Sequence, residues 1–192
     1  MKRLAALFLT MLIFIPGALY SAPVERDKSS ISFLTRQMGV PVSGSFKRFD
    51  ADVSHDPKDA GKSRASITIY MDEVDAGSDD GTVEIKRKPW FDVKNHPKAE
   101  FVSSSIKELG PGRYEVAGKM TIKGRTREVL APVAVKKDGG LWLFEGGFTI
   151  NRLDFSIGEG PWADTGTVDD KVEVRFRLLA PVEEKNNKRR LK

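Results

Sequence analysis

The chain has 192 residues, a formal net charge of +5 at pH 7 and no cysteine. The absent cysteines exclude disulfides, thiol catalysis and thiolate metal sites together. The charge sits at the two ends: Lys2 and Arg3 at one, and the segment 183–192, "EEKNNKRRLK", at the other. The body between them is close to neutral, which argues against nucleic-acid binding, since that requires a clustered basic face.

In chain order, the first element is not part of a fold. Lys2 and Arg3 precede an apolar run, "LAALFLTMLIFI", which Pro16 and Gly17 break before the small residues Ser21 and Ala22. This is the layout of a secretory signal peptide over residues 1–22, and the run falls short of the roughly 20 residues a membrane span needs. It predicts a periplasmic or secreted protein. About 160 residues remain as one domain, 23–182, followed by a basic disordered tail, 183–192. The tail reads as a solvated end; the alternative is weak contact with anionic membrane, worth about 1 kcal/mol per basic residue.

The domain reads as strands. "SSISFLTRQ" alternates Ile31 and Phe33 against serines, and "GSFKRFDADV" follows a turn at Pro41. "RASITIYMDEV" sets Ala65, Ile67, Ile69 and Met71 on one face, the period of a half-buried strand. The segment "GTVEIKRKPWFDVKNHPKAEF" breaks the pattern. It predicts a short helix near residues 82–89 that ends before Pro89, with Trp90 and Phe91 placed to plug an open side or end. "AEFVSSSIKEL", "RYEVAGKMTI", "TREVLAPVAVKK", "LWLFEGGFTINR" and "KVEVRFRLLAP" complete about eight strands, joined by short Gly-rich turns. Gly118, Gly124, Gly146 and Gly147 mark bulges or bends, which favour a curved, closed sheet over a flat sandwich. The fold class is therefore all-β, an antiparallel barrel whose polar outer face excludes an outer-membrane barrel. An interior of this size is either packed with side chains or holds one small ligand.

Chemistry-bearing patterns are sparse. His55 and His96 lie in charged, Pro-containing loops and read as solvated. No convergent ligand set for a metal and no G-x-S-x-G serine occurs, so no catalytic residue, metal or cofactor is assigned. "DEVDAGSDDG" lacks the residue order of an EF-hand and reads as a solvated loop. Lys123 and Arg152 lie beside apolar faces. Arg152 reads as paired with Asp154 or another carboxylate, or, with Lys123, as a contact for a ligand's polar head.

Four stretches occur in order: "GSFKRFDADV", "KPWFDVKNHPKAEFVSSSI", "YEVAGKMTIKGRTREV" and "GGFTINRLDFSIG". Together they resemble the YceI-like family of secreted, lipid-binding bacterial proteins over residues 29–181. The resemblance implies an eight-stranded antiparallel lipocalin-like β-barrel, often a homodimer, without catalytic residues. It also implies an apolar tunnel for a long-chain isoprenoid or acyl lipid, typically a polyisoprenoid of the quinone or prenyl phosphate type. On this reading the tunnel is lined by Phe33, Phe46, Phe49, Ile67, Ile69, Met71, Trp90, Phe91, Phe101, Met120, Ile122, Phe148, Ile150 and Phe155. Lys123 and Arg152 are the candidate head-group contacts. The competing reading is a stress-related interaction protein whose barrel is fully packed and binds a protein partner. An interior cavity separates the two.

Overall fold

The computed structural model describes residues 22–182. The signal-peptide reading, apart from its last residue, and the basic tail lie outside the described residues. Eleven strands form one antiparallel sheet: β1 (Ala22–Pro23), β2 (Ser30–Gln37), β3 (Val40–Phe46), β4 (Phe49–Ser54), β5 (Arg64–Tyr70), β6 (Val74–Asp75), β7 (Lys98–Gly110), β8 (Arg113–Ile122), β9 (Arg125–Asp138), β10 (Leu141–Asn151) and β11 (Lys171–Pro181). Their order is β1-β4-β5-β7-β8-β9-β10-β11-β2-β3-β6. The sheet curls on itself, and the Glu25 amide just after β1 donates to the Leu179 carbonyl on β11 (2.7 Å).

The expected all-β barrel is present, with the strand count revised. β1 and β6 are two-residue strands. The stretch expected as one strand over 44–53 divides at Lys47 and Arg48, because its halves face different partners. Phe46 pairs with Val74 on β6, whereas Phe49 pairs with Ile69 on β5.

The one α-helix among the described residues, α1 (Asp79–Ile85), begins three residues before the expected start. Ser78 accepts from the Gly81 amide as its N-cap, and Asp79 and Asp80 occupy the first turn, where the helix dipole favours negative charge.

Two local devices set the sheet's curvature. Between β7 and β8 the register shifts from Ser103↔Gly118 to Ser105↔Ala117, a bulge that bends the strand. Opposite it, Gly118 lets the Phe101 ring lie flat on the backbone: a Cβ there would stand 2.5 Å from that ring and 2.6 Å from the Val102 carbonyl. Between β8 and β9, Lys123 and Gly124 both adopt left-handed backbone (φ 49° and 71°), the two-residue hairpin turn that matches strand twist. Lysine is not a favoured residue in that conformation, and its side chain has compensating partners, described below.

The core is a cluster of inward-facing residues, including Phe49, Ala51, Val74, Phe144, Phe155 and Leu178, each nearly inaccessible. Residues 76–93, with α1, lie across one end. There Phe91 meets Phe46 (ring centroids 6.4 Å apart) and Trp90 meets Trp162 (5.4 Å).

Candidate functional site

The interior is not filled. An outer cavity of about 440 Å³ lies at the α1 end, and an inner one of about 100 Å³ lies deeper in the barrel. Four residues wall both cavities: Ile69 on β5, Met120 on β8, Phe148 on β10 and Val174 on β11. They form a waist between two chambers of one apolar space.

Of the expected lining residues, Phe33, Phe46, Met71, Trp90, Phe91, Ile122 and Ile150 wall the outer cavity, and Ile67 and Phe101 the inner one. Ile69, Met120 and Phe148 belong to the waist. Phe49 and Phe155 wall neither cavity. Phe49 is buried in the core, 4% exposed. Phe155 lies beyond the end of β10, on the 3-10 turn Arg152–Phe155, where strand alternation no longer decides which way a side chain points.

The polar groups are unevenly placed. Thr35, Gln37, Ser78, Asp80, Glu84 and Arg152 lie around the outer cavity, and Glu84 is also paired with Arg87 (2.7 Å). The inner chamber is walled mainly by apolar side chains, with Ser54, His55, Ser63, Glu100 and Tyr114 as the polar residues of its wall. Among the described residues, the buried side-chain polar atom without a hydrogen-bond partner is Trp90 Nε1, on a ring that walls the outer cavity.

Neither basic residue is available to a head group as the sequence suggested. Arg152 is 1% exposed. Its five N–H groups all donate to main-chain carbonyls: Nε to Asp169 (3.0 Å), Nη1 to Ile157 (2.8 Å) and Gly158 (3.0 Å), and Nη2 to Trp162 (2.7 Å) and Val168 (2.8 Å). A guanidinium has five donors, so none remains. The expected carboxylate partner is thus replaced by carbonyl dipoles. Burial lowers the guanidinium's pKa, opposed by the Asp170 charge. Lys123 is likewise engaged: Nζ donates to the Ser156 carbonyl (2.7 Å) and to Glu159 Oε2 (2.8 Å), and its side chain is only 8% exposed. The lysine bond holds the Glu159 carboxyl below its ordinary range. Lys123 and Arg152 together fasten the 156–159 segment against the barrel end.

His55 also differs from the sequence expectation. It is half-buried on the inner chamber wall, edge-on to three rings: Trp142 (4.8 Å between centroids), Tyr114 (5.4 Å) and Phe144 (5.7 Å). Desolvation by this surround lowers its pKa from 6.5, against smaller opposing effects of Asp56 and Glu108. The sign follows: below pH 6.5 the unfolded chain takes up a proton that the folded chain resists, so stability declines as pH falls through that window. Thermal melts from pH 7 to pH 5 are expected to show this decline and to show it flattened in His55→Gln. An identical slope in the variant contradicts the buried placement.

Trp162 and Phe144 also wall the site and escaped the sequence reading. Trp162 sits in a loop without periodicity. Phe144 lies in "LWLFEGG", where apolar residues are consecutive and alternation gives no facing. Val174 and Phe176 also wall the site and were not among the expected lining residues, although the alternation of "KVEVRFRLLAP" puts both on one strand face.

Comparison with known proteins places the chain. The YceI-like domain family matches residues 23–180. A UPF0312 protein of Yersinia pestis is 28% identical over 184 residues, covering 90% of this chain and 93% of its own length. The crystal structure of Burkholderia cenocepacia BcnA superposes with a TM-score of 0.80 at 41% identity, covering 82% of this chain and 99% of that one. A polyisoprenoid binding domain from Saccharophagus degradans, implicated in plant cell wall breakdown, shares the fold at 15% identity (TM-score 0.67, 85% of this chain and all of that one). From residue 23 to residue 180, this chain belongs to the YceI-like family.

Proposed function

We propose that this protein is a binding module, not an enzyme, that holds one polyisoprenoid lipid with an uncharged head in the barrel interior, for carriage or sequestration outside the cytoplasm. The observation that carries the reading is the two-chambered apolar space, walled by rings and aliphatic side chains from five or more strands. A barrel that acts only through a partner on its surface has no need of such space, because unfilled interior volume forfeits packing energy. Burial favours a long chain by about 0.8 kcal/mol per methylene, so an isoprenoid binds tightly with few polar contacts. The polyisoprenoid-binding relative from Saccharophagus supports the same class of ligand.

The polarity of the chambers orients the ligand. The tail runs through the waist into the inner chamber, and the head stays in the outer cavity. There Asp80 and Glu84 face it, while Arg152 and Lys123 have their donors engaged. Among the described residues that wall this cavity, a prenyl phosphate would meet carboxylates and no cation with a free donor. A quinone, alcohol or amide does not incur that repulsion, and an oxygen of such a head is the acceptor that the Trp90 N–H lacks. The apolar run at 4–15 and the small residues after it support export to the periplasm.

Native mass spectrometry of the protein purified from its own host, followed by solvent extraction, tests the reading. A stoichiometric added mass that extracts as a neutral polyisoprenoid is expected. A clean unliganded mass, with no uptake of added ubiquinone or prenyl alcohols, overturns it.

A further inference from the structure

We propose that the inner chamber is a subsite for the chain terminus, entered through the waist at Met120, and that its depth sets the length of isoprenoid the protein prefers. This rests on the reading of the cavity as an isoprenoid site.

Three observations carry it. First, the waist is a ring, not a one-sided narrowing: its four residues come from β5, β8, β10 and β11. Second, they differ in stiffness. Ile69 and Val174 are β-branched and fixed at χ1, and Phe148 is a rigid ring, whereas Met120 is unbranched and can swing aside. The waist is therefore passable at one side chain. Third, the chamber beyond it is small. At about 100 Å³ it is somewhat smaller than an engineered apolar cavity of about 150 Å³ that admits benzene, which leaves room for about one five-carbon unit. His55, Tyr114 and Phe144 stand in its wall as a bracing cluster of rings.

An apolar chamber of this kind stays dry, so a chain end that enters it displaces no bound water. A chain one unit too short leaves the chamber empty. A chain one unit too long pushes its head out of the outer cavity. Affinity should accordingly peak at one length.

The test uses the full mature protein and a series of prenyl alcohols that increases by single isoprene units from farnesol. Dissociation constants are read from quenching of tryptophan fluorescence. Ala131→Met and Val133→Phe each fill the inner chamber from its wall; both residues are buried there. The expected result is a preferred length one unit shorter in the variants, with the ratio of affinities for the two lengths changed at least tenfold. An unchanged preferred length in a folded variant overturns the subsite while leaving the isoprenoid reading intact. Failure of the unsubstituted protein to bind any member of the series overturns the isoprenoid reading itself. Should both substitutions prevent folding, the unsubstituted protein still decides the matter. A prenyl alcohol of the preferred length bearing a diazirine at its tail end is expected to label the Tyr114–Met120 segment. Labelling confined to Trp90, Phe91 or Trp162 overturns the proposal.

Discussion

Arg152→Met should lose most or all of its folding stability, whether or not a lipid is present. The side chain donates five hydrogen bonds, and three of them, to Ile157, Gly158 and Val168, are fully buried. Removing the donors leaves those carbonyls without partners, at about 1–3 kcal/mol for each buried group. The sum rivals the whole margin of about 5–15 kcal/mol by which domains are stable. Methionine replaces the aliphatic stem and none of the donors. Arg152→Lys keeps the charge but offers three donors on a single atom, and these cannot span carbonyls drawn from residues 157–169; it should fall between the two. Denaturation followed by circular dichroism measures the effect. A head-group contact behaves oppositely: Arg152→Met would then fold normally and only bind more weakly. A loss below about 1 kcal/mol of unfolding free energy, with lipid uptake impaired, restores the head-group role.

The contrast shows which physics a sequence carries openly. Period-two alternation placed Ile67, Ile69, Met120 and Ile122 inward, because in a strand the facing of a side chain is a property of its own position. The break at Lys47 and Arg48 was hidden for the converse reason: both halves of 44–53 alternate correctly, and only their different partners, β6 and β5, separate them. Arg152 was legible as a charge beside an apolar strand, which suggested a carboxylate. Its actual partners are backbone carbonyls, which every sequence possesses and none advertises, brought together by the path of an irregular segment. His55 illustrates a third limit. Its neighbours "SHDPKD" are those of a solvated loop, and its burial comes from Tyr114, Trp142 and Phe144, all nearly 60 or more residues away. The helix start, by comparison, was available in "AGSDD", where Ser78 is followed by two acidic residues. The proline downstream drew attention to the helix's end instead.

Ile69→Trp should abolish lipid uptake by a folded protein. Ile69 is one of the four waist residues and so borders both chambers. Its cross-strand neighbours are Phe49 on β4 and the small Ala99 on β7, which also walls the outer cavity. The indole therefore has open volume to enter, and the cost of overpacking should stay near the low end of the usual range of about 1–3 kcal/mol. Its effect on binding is larger. A plugged waist denies the chain the inner chamber and the inner part of the outer one. Four buried carbons alone are worth about 3 kcal/mol, more than a hundredfold in Kd. Val102→Trp supplies the control, since Val102 is on the outer face of the sheet and 54% exposed. It adds the same ring without entering the interior. The pair separates a blocked tunnel from a general response to a new aromatic. Binding lost in Ile69→Trp and kept in Val102→Trp, at closely similar melting temperatures, places the lipid in the waist. Affinity unchanged in a folded Ile69→Trp removes the lipid from the waist and the inner chamber.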